Sequence, residues 1–386
     1  MKLDKKLDSL PLTKTNPSAL VSLFGKEDII PMWVADMDFE IDEDIQKALI
    51  KRISNSGFAY EYKPASFFEA QEEWYNDHYD LRLNREHILY SPSITTSIAV
   101  IIENFTSEKD GIIIQPPVFM EFKDVIRITK RKIIKNALKI VNDHYEIDFE
   151  DLEIKARDKQ NKILILCNPH NPVGRVWEKE ELKKIVLICK ENDILLISDE
   201  IHKDIILYDN QFTSLLHFVN TWNKILICTS EAKTFNIPAI SDSIVIAENE
   251  DLRKAIRQTF KKYNLGRTNA LTRIAWETAY RSGDIWLKEL ISTIENNVDL
   301  IDKELKSSNS KIRLIKPEGT YQVWLDFREI FNDTKVMFRE VTEKSGIGIN
   351  AGNWFGREGA LFMRMNIATS KEKVQYAIRQ IIKSVL

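Results

Sequence analysis

Ile163-Leu-Ile-Leu-Cys-Asn-Pro-His-Asn-Pro-Val-Gly174 joins a short apolar run to a turn holding two prolines and a glycine. A strand that is apolar at every position, and not only at alternate ones, is covered on both faces. Two later runs share the pattern: Ile194-Leu-Leu-Ile-Ser-Asp199 and Ile225-Leu-Ile-Cys-Thr-Ser-Glu-Ala-Lys233. Each closes on a polar residue, and Asn171, Asp199 and Lys233 stand 28 and 34 residues apart. In open α/β sheets ligands bind just beyond the carboxyl ends of the strands. An amide, a carboxylate and an amine delivered there can hold one aromatic cofactor.

Around this centre the pattern alternates. Strands are predicted at Lys162–Cys167, Ile194–Ser198, Lys224–Cys228 and Ser243–Ala247, with a helix at Glu178–Glu191 after the first. Upstream, helices are expected at Asp42–Ile53, Ser66–His78 and Ser93–Phe105, and a short strand at Gly111–Gln115. Downstream come helices at Asp251–Tyr263, Thr268–Arg281 and Asp284–Leu305. The last eighty or so residues mix strands near 312–315, 322–326 and 361–365 with helices near 335–344 and 371–384. The fold class is therefore α/β: a large domain with a mainly parallel sheet sandwiched by helices, plus a smaller α+β domain. The expected boundaries are 42–281 for the large domain, and 1–41 with 282–386 for the small one. The N-terminal arm to about Glu40 shows few periodic features.

The bulk numbers narrow the function. A chain of 386 residues exceeds one ordinary core. Its formal net charge of −3 offers no basic surface for nucleic acid. The one basic cluster, Lys130, Arg131, Lys132 and Lys135, reads as a solvated strand. No apolar run approaches membrane length, and the first eight residues lack the apolar core of a signal peptide. Cys167, Cys189 and Cys228 are odd in number and without paired spacing, as expected for core thiols in the cytoplasm. Scattered histidines give no metal-ligand spacing.

Each polar station has an ordinary explanation alone: a surface lysine, a helix-capping aspartate, a rigid turn. Their chemistry converges when they are taken together. A lysine in apolar surroundings can lose its proton and form a Schiff base with an aldehyde. A buried carboxylate needs a cationic partner, and a protonated pyridine nitrogen is one. An amide on a rigid turn can be aimed at a ring hydroxyl.

The order Asn-Pro-x-Gly, Asp-x-x-His, Ser-x-x-Lys resembles the fold-type-I pyridoxal 5′-phosphate (PLP) enzymes, the class I/II aminotransferase superfamily. Pro31-Met-Trp-Val-Ala-Asp-Met-Asp-Phe39 and Asp199-Glu-Ile-His202 are similar to its cystathionine β-lyase, or C–S lyase, branch. The resemblance runs from Pro31 to Asn366 and implies the PLP-dependent transferase fold. It implies that Lys233 carries the Schiff base and moves the substrate's α-proton. Asp199 would pair with the ring nitrogen, Asn171 and His202 would serve the ring's O3′, and Phe119 would stack on its face. Ser230, Ile94, Thr95 and, from a partner subunit, Tyr60 would hold the phosphate. Arg364 would fork onto the amino acid's carboxylate, and Ala35 would lie on a segment closing over it.

A C–S β-lyase acting on cystathionine or related cysteine S-conjugates is the implied activity, in a cytoplasmic homodimer with a small amino-acid substrate. An aminotransferase is the alternative, and a regulatory protein on the same fold a more distant one. The chain departs from the family at Ser93-Ile94-Thr95, where a glycine is usual, at Phe119, often tyrosine, and at Pro238-Ala239-Ile240. The family's basic, Trp-containing block before Pro31 is not recognisable. Gly346-Ile-Gly348-Ile-Asn-Ala351 also fits a dinucleotide fingerprint, but that motif needs a strand before it and a helix after it.

Overall fold

The computed structural model describes residues 1–4 and 7–386, so two residues of the N-terminal stretch read above lie outside the described residues. A seven-stranded sheet forms its centre, in the order Ile88–Ser91, Ser243–Ile246, Ile225–Thr229, Leu195–Asp199, Asn161–Cys167, Gly111–Ile114, Lys132–Lys135. Ser243–Ile246 pairs antiparallel with both its neighbours, and the remaining pairings are parallel.

Side chains alternate across a strand, so each strand feeds two cores. Ile112, Ile163, Ile165, Leu195, Ile197 and Leu226 face one cluster, with the helices Ile94–Phe105, Met120–Ile128 and Glu250–Tyr263. Ile113, Leu164, Leu166, Leu196, Ile225 and Ile227 face the other, with Lys179–Asn192 and Ala270–Ser282. This double burial is why the strands read as continuous apolar runs. A four-stranded antiparallel sheet, Arg313–Ile315, Gln322–Asp326, Phe362–Asn366 and Asn350–Ala351, lies in the C-terminal part. Arg364 stands opposite Trp324 on one side and Asn350 on the other.

Several elements differ from expectation. The N-terminal arm contains a helix, Pro17–Phe24. Its signals are all present: Asn16 Oδ1 accepts from Ser18 N (3.0 Å), Pro17 opens the helix, and Gly25 closes it at φ 78°. Eight residues give too little periodicity to show. The short helices Met120–Ile128 and Phe149–Arg157 and the hairpin of Lys139–Val141 with His144–Glu146 are additional for the same reason. Gly346 is the left-handed cap of Thr334–Ser345 (φ 69°), and Ile347–Gly348 pairs with Ile30–Pro31. Gly346 ends a helix and Gly348 lies in a strand, so the dinucleotide reading fails.

A buried ionic cluster braces the turn that carries Lys233. Lys203 Nζ donates to Asp204 Oδ2 (2.9 Å) and Glu231 Oε1 (3.0 Å), with both side chains wholly buried. Thr234 Oγ1 and Trp74 Nε1 donate to Asp204 (2.6 and 3.1 Å), and Tyr280 OH donates to Glu231 (2.8 Å). Two carboxylates this deep are tolerable only with the ammonium between them; burial disfavours that ammonium, yet the two anions hold its pKa well above the lysine value. Lys203→Met should lower unfolding free energy by about 3–5 kcal/mol, because it strands both anions. Chemical denaturation is the check, and a change below about 1 kcal/mol would show that the cluster is not needed.

Candidate active site

Three parallel strands end side by side, and their last residues open one cavity of about 230 Å³. Asp199 closes Leu195–Asp199, next to Cys167 and Cys228 on the neighbouring strands. The turn Asn168–Gly174 follows Cys167 and is pinned by Trp177 N donating to Asn168 Oδ1 (3.2 Å) and by a His170 Nε2–Pro117 O contact (2.9 Å). Lys233 sits four residues past Ile225–Thr229. Because Ser243–Ile246 runs the other way, its start brings Ser241 and Asp242 back to Ser230. Ser230 Oγ donates to Asp242 O (2.5 Å) and lies 3.1 Å from Ser241 Oγ.

Of the residues expected at the site, Ala35, Ile94, Thr95, Phe119, Asn171, Asp199, His202 and Lys233 line this cavity. Arg364 is buried and joined to it through Asn171: Nη1 donates to Asn171 Oδ1 (3.0 Å). Its other nitrogens donate to Asn350 Oδ1 (2.8 and 3.2 Å) and Trp33 O (2.8 Å). Tyr60 is elsewhere in this single chain. It is 96% exposed, with its ring 5.5 Å from the Arg267 guanidinium, on a surface recess that also holds Lys63 and Arg273.

Burial dominates the electrostatics. Asp199 accepts from Ile201 N (3.1 Å), and burial pushes its carboxyl up to about 7, with Glu200 adding to the rise and Lys233 offsetting it. Lys233 is pulled below the usual lysine value by burial and by the Arg364 charge; Nζ donates to Ala35 O (2.6 Å). Tyr321 OH donates to the same oxygen (2.9 Å). His202 is held down at about 3 by burial and by Lys233 and Arg364, so it is neutral at pH 7; its Nδ1 is buried without a partner. Burial lowers Arg364 to about 10, which leaves it charged. Ser93 caps Ile94–Phe105, its Oγ accepting from Thr96 N (3.1 Å) and lying 3.0 Å from Thr95 Oγ1. The first amides of that helix are therefore available to an anion.

These groups fit PLP. The Asp199 carboxyl, raised for want of a cation, suits a ring N–H⁺. The orphaned His202 Nδ1 suits a polar ring substituent, and the Ser93–Thr95 helix start suits a phosphate. Glu121, Ile201, Tyr321 and Asn350 are further residues at or beside the cavity that sequence reasoning missed. Asn350 had a weak signal, since it lies inside the stretch that resembled a dinucleotide fingerprint. Glu121 lies in the first turn of the short helix Met120–Ile128, whose two turns show too little periodicity to be read.

Asp199 gives a pH dependence. In protein freed of PLP, the folded chain keeps a proton on Asp199 to about pH 7, whereas the unfolded chain releases it near 3.8. The native state binds more protons across that window, so stability falls as pH rises from about 4 to about 7. Glu200, also raised to about 7 by burial, acts in the same direction. Asp199→Asn should flatten the decline, read by denaturant unfolding at about pH 5 and about pH 7.5. An unaltered slope would contradict the assignment.

Comparison with known proteins gives the class. Residues 27–381 match the aminotransferase class I and II family, so the chain belongs to that family. It is 33% identical to cystathionine beta-lyase PatB of Bacillus subtilis (strain 168) over 382 residues, 99% of each chain. It superposes on PLP-containing cystalysin from Treponema denticola with a TM-score of 0.94 at 29% identity, covering 100% of this chain and 97% of that one. For the PLP-bound C-S lyase of Staphylococcus hominis the values are 0.90, 27%, 100% and 97%. The protein is a PLP-dependent enzyme, and an amino-acid substrate fits its family. No helix among the described residues is long and apolar enough to cross a membrane.

Proposed function

We propose that this protein is a C–S β-lyase that converts cystathionine or related cysteine S-conjugates to pyruvate, ammonia and a thiol. The carrying observation is the single cavity in which the Lys233 amine, the buried Asp199 carboxyl and the Asn171–Arg364 pair converge. PLP, when bound, draws electrons from the substrate's α-carbon and makes its C–H acidic.

This chain's residues do the rest. Arg364 binds the α-carboxylate through its planar fork, for which Asn350 and the Trp33 carbonyl fix the guanidinium plane. Lys233, with its depressed pKa, is poised to accept the α-proton. Asp199 would hold a proton at the ring nitrogen, and Asn171 and His202 would hold O3′. Phe119 would cover the ring face, and Ser230 and the start of Ile94–Phe105 would take the phosphate. The Ala35 segment shields the substrate from water. Loss of the α-proton lets a Cα–Cβ double bond form while the Cβ–S bond breaks. The sulfur leaves with the electron pair and is protonated to a thiol. Water hydrolyses the remaining 2-aminoacrylate to pyruvate and ammonia.

Tyr60, exposed in one chain, is proposed to reach the phosphate of a second copy, which makes the active form a homodimer. The small domain is proposed to combine 1–41 with 282–386, around the large domain 42–281. A cytoplasmic setting is proposed because all three cysteines are free and buried. The test is incubation of PLP-loaded protein with cystathionine, and separately with an amino acid plus 2-oxoglutarate. Pyruvate and thiol are expected; glutamate without pyruvate would make it an aminotransferase instead.

A further inference from the structure

Glu121 stands in the first turn of Met120–Ile128, the helix that opens from Phe119. It lines the cavity with Lys233 and Asp199, yet is itself solvent-exposed, which places it where the cavity meets solvent. Its carboxylate has no hydrogen bond or ion pair among the described residues. The cation whose field it feels is Lys233. Its helix neighbours are engaged elsewhere: Lys123 Nζ donates to Trp354 O (2.6 Å), and Asp124 pairs with Arg127 (3.5 Å).

Three charged groups line the cavity, once His202 is recognised as neutral: Asp199, Lys233 and Glu121. The proposed function uses the first two and leaves Glu121 without a partner. Burial pulls the Glu121 carboxyl above its ordinary pKa, and the Lys233 charge and its place in the first turn of a helix favour the anion. The substrate's α-carboxylate goes to buried Arg364 and its amino group to the Lys233 end, so whatever hangs on the sulfur extends toward the opening. Glu121 is the charged group it meets.

We propose that Glu121 reads the charge of the S-substituent, favouring cysteine thioethers that carry a cation beyond the sulfur and disfavouring those that carry an anion. Cystathionine carries both an ammonium and a carboxylate on its distal half, so it falls between the two classes. This rests on the lyase reading for the direction in which the substituent points.

The test uses PLP-loaded protein and three probes: S-(2-aminoethyl)-L-cysteine, S-propyl-L-cysteine and S-carboxymethyl-L-cysteine. Their thiols differ as leaving groups, so the quantity to compare is the change in the ratio of kcat/KM values between wild type and variant. Glu121→Gln should lower the aminoethyl-to-propyl ratio by about tenfold, mainly through KM, as expected for one charged hydrogen bond at a half-open site. Glu121→Lys should reverse the order of the aminoethyl and carboxymethyl probes. Pyruvate formation with ratios unchanged within about twofold in both variants would overturn the proposal and leave the lyase reading intact. Binding of the same probes, followed through the cofactor's visible absorption, separates the two ideas. Charge preference in binding that disappears in Glu121→Gln, without thiol release, would support the role of Glu121 and remove the lyase. A preference lost in kcat/KM only because the helix has loosened would appear as a lowered melting temperature with all three probes affected alike, and would overturn the proposal.

Discussion

Lys233→Ala protein, supplied with PLP and cystathionine, should release pyruvate at least about 10⁴-fold more slowly than wild type. Two losses combine. The amine proposed to anchor the cofactor's aldehyde is gone, and so is the proposed base for the α-proton. No neighbour can substitute: burial and the Arg364 charge still hold the His202 pKa below its ordinary value without Lys233, so its imidazole is a weak base. The absorption band of covalently held cofactor should vanish, and added small amines should restore part of the activity. Lys233→Arg is the control, since it keeps the charge in the cavity without the nucleophile. A Lys233→Ala rate within about tenfold of wild type would sink the assignment. The fold should survive, because the structural charges nearby are matched separately around Lys203.

The legibility of this site follows from where chemistry coincides with local sequence. Asn171, Asp199 and Lys233 each close an apolar run, so strand pattern and function are written in the same dozen residues. That made the parallel sheet and its ligand edge readable together. Tyr321 and Asn350 are different. Tyr321 reaches the site through Ala35, 286 residues away, and Asn350 through the strand pairing that sets it opposite Arg364, 14 residues on. Nothing near Tyr321 announces that contact, and the glycine pattern around Asn350 pointed to a different one. The short helices at Pro17–Phe24 and Met120–Ile128 were hidden by length: two turns show too few apolar repeats, although the caps of the first were all present. Tyr60 was legible by resemblance only, and one chain leaves it at the surface.

Arg364→Lys should raise KM for amino-acid substrates by about 10- to 100-fold, with a smaller fall in kcat. Lysine keeps the charge but gives up the planar fork, so one of two parallel hydrogen bonds to a carboxylate is lost. The same guanidinium ties Asn171, Asn350 and Trp33 together, and the variant should therefore melt at a lower temperature as well. PLP affinity distinguishes substrate binding from general loosening. It should change far less than KM, because Arg364 reaches the proposed cofactor contacts only through Asn171. A KM unchanged within about twofold would move the carboxylate site elsewhere.

The segment around Ala35 has a consequence for the order in which the molecule is assembled. Ile30–Pro31 pairs with Ile347–Gly348, Asn366 Nδ2 donates to Val34 O (2.6 Å), and Asp38 receives Lys14 (2.6 Å), Thr369 (2.6 Å) and Lys373 (2.9 Å). Several anchors of this early stretch are therefore made more than three hundred residues later, beside others from Lys14, Lys233 and Asn236. During synthesis the central sheet has all its strands once Ile246 has emerged, but the pairing of Ile30–Pro31 and the Asn366 contact need residues that come about a hundred positions later. The segment proposed to shield the substrate is thus made early and secured late, so a growing chain carries a finished central sheet before its site can close.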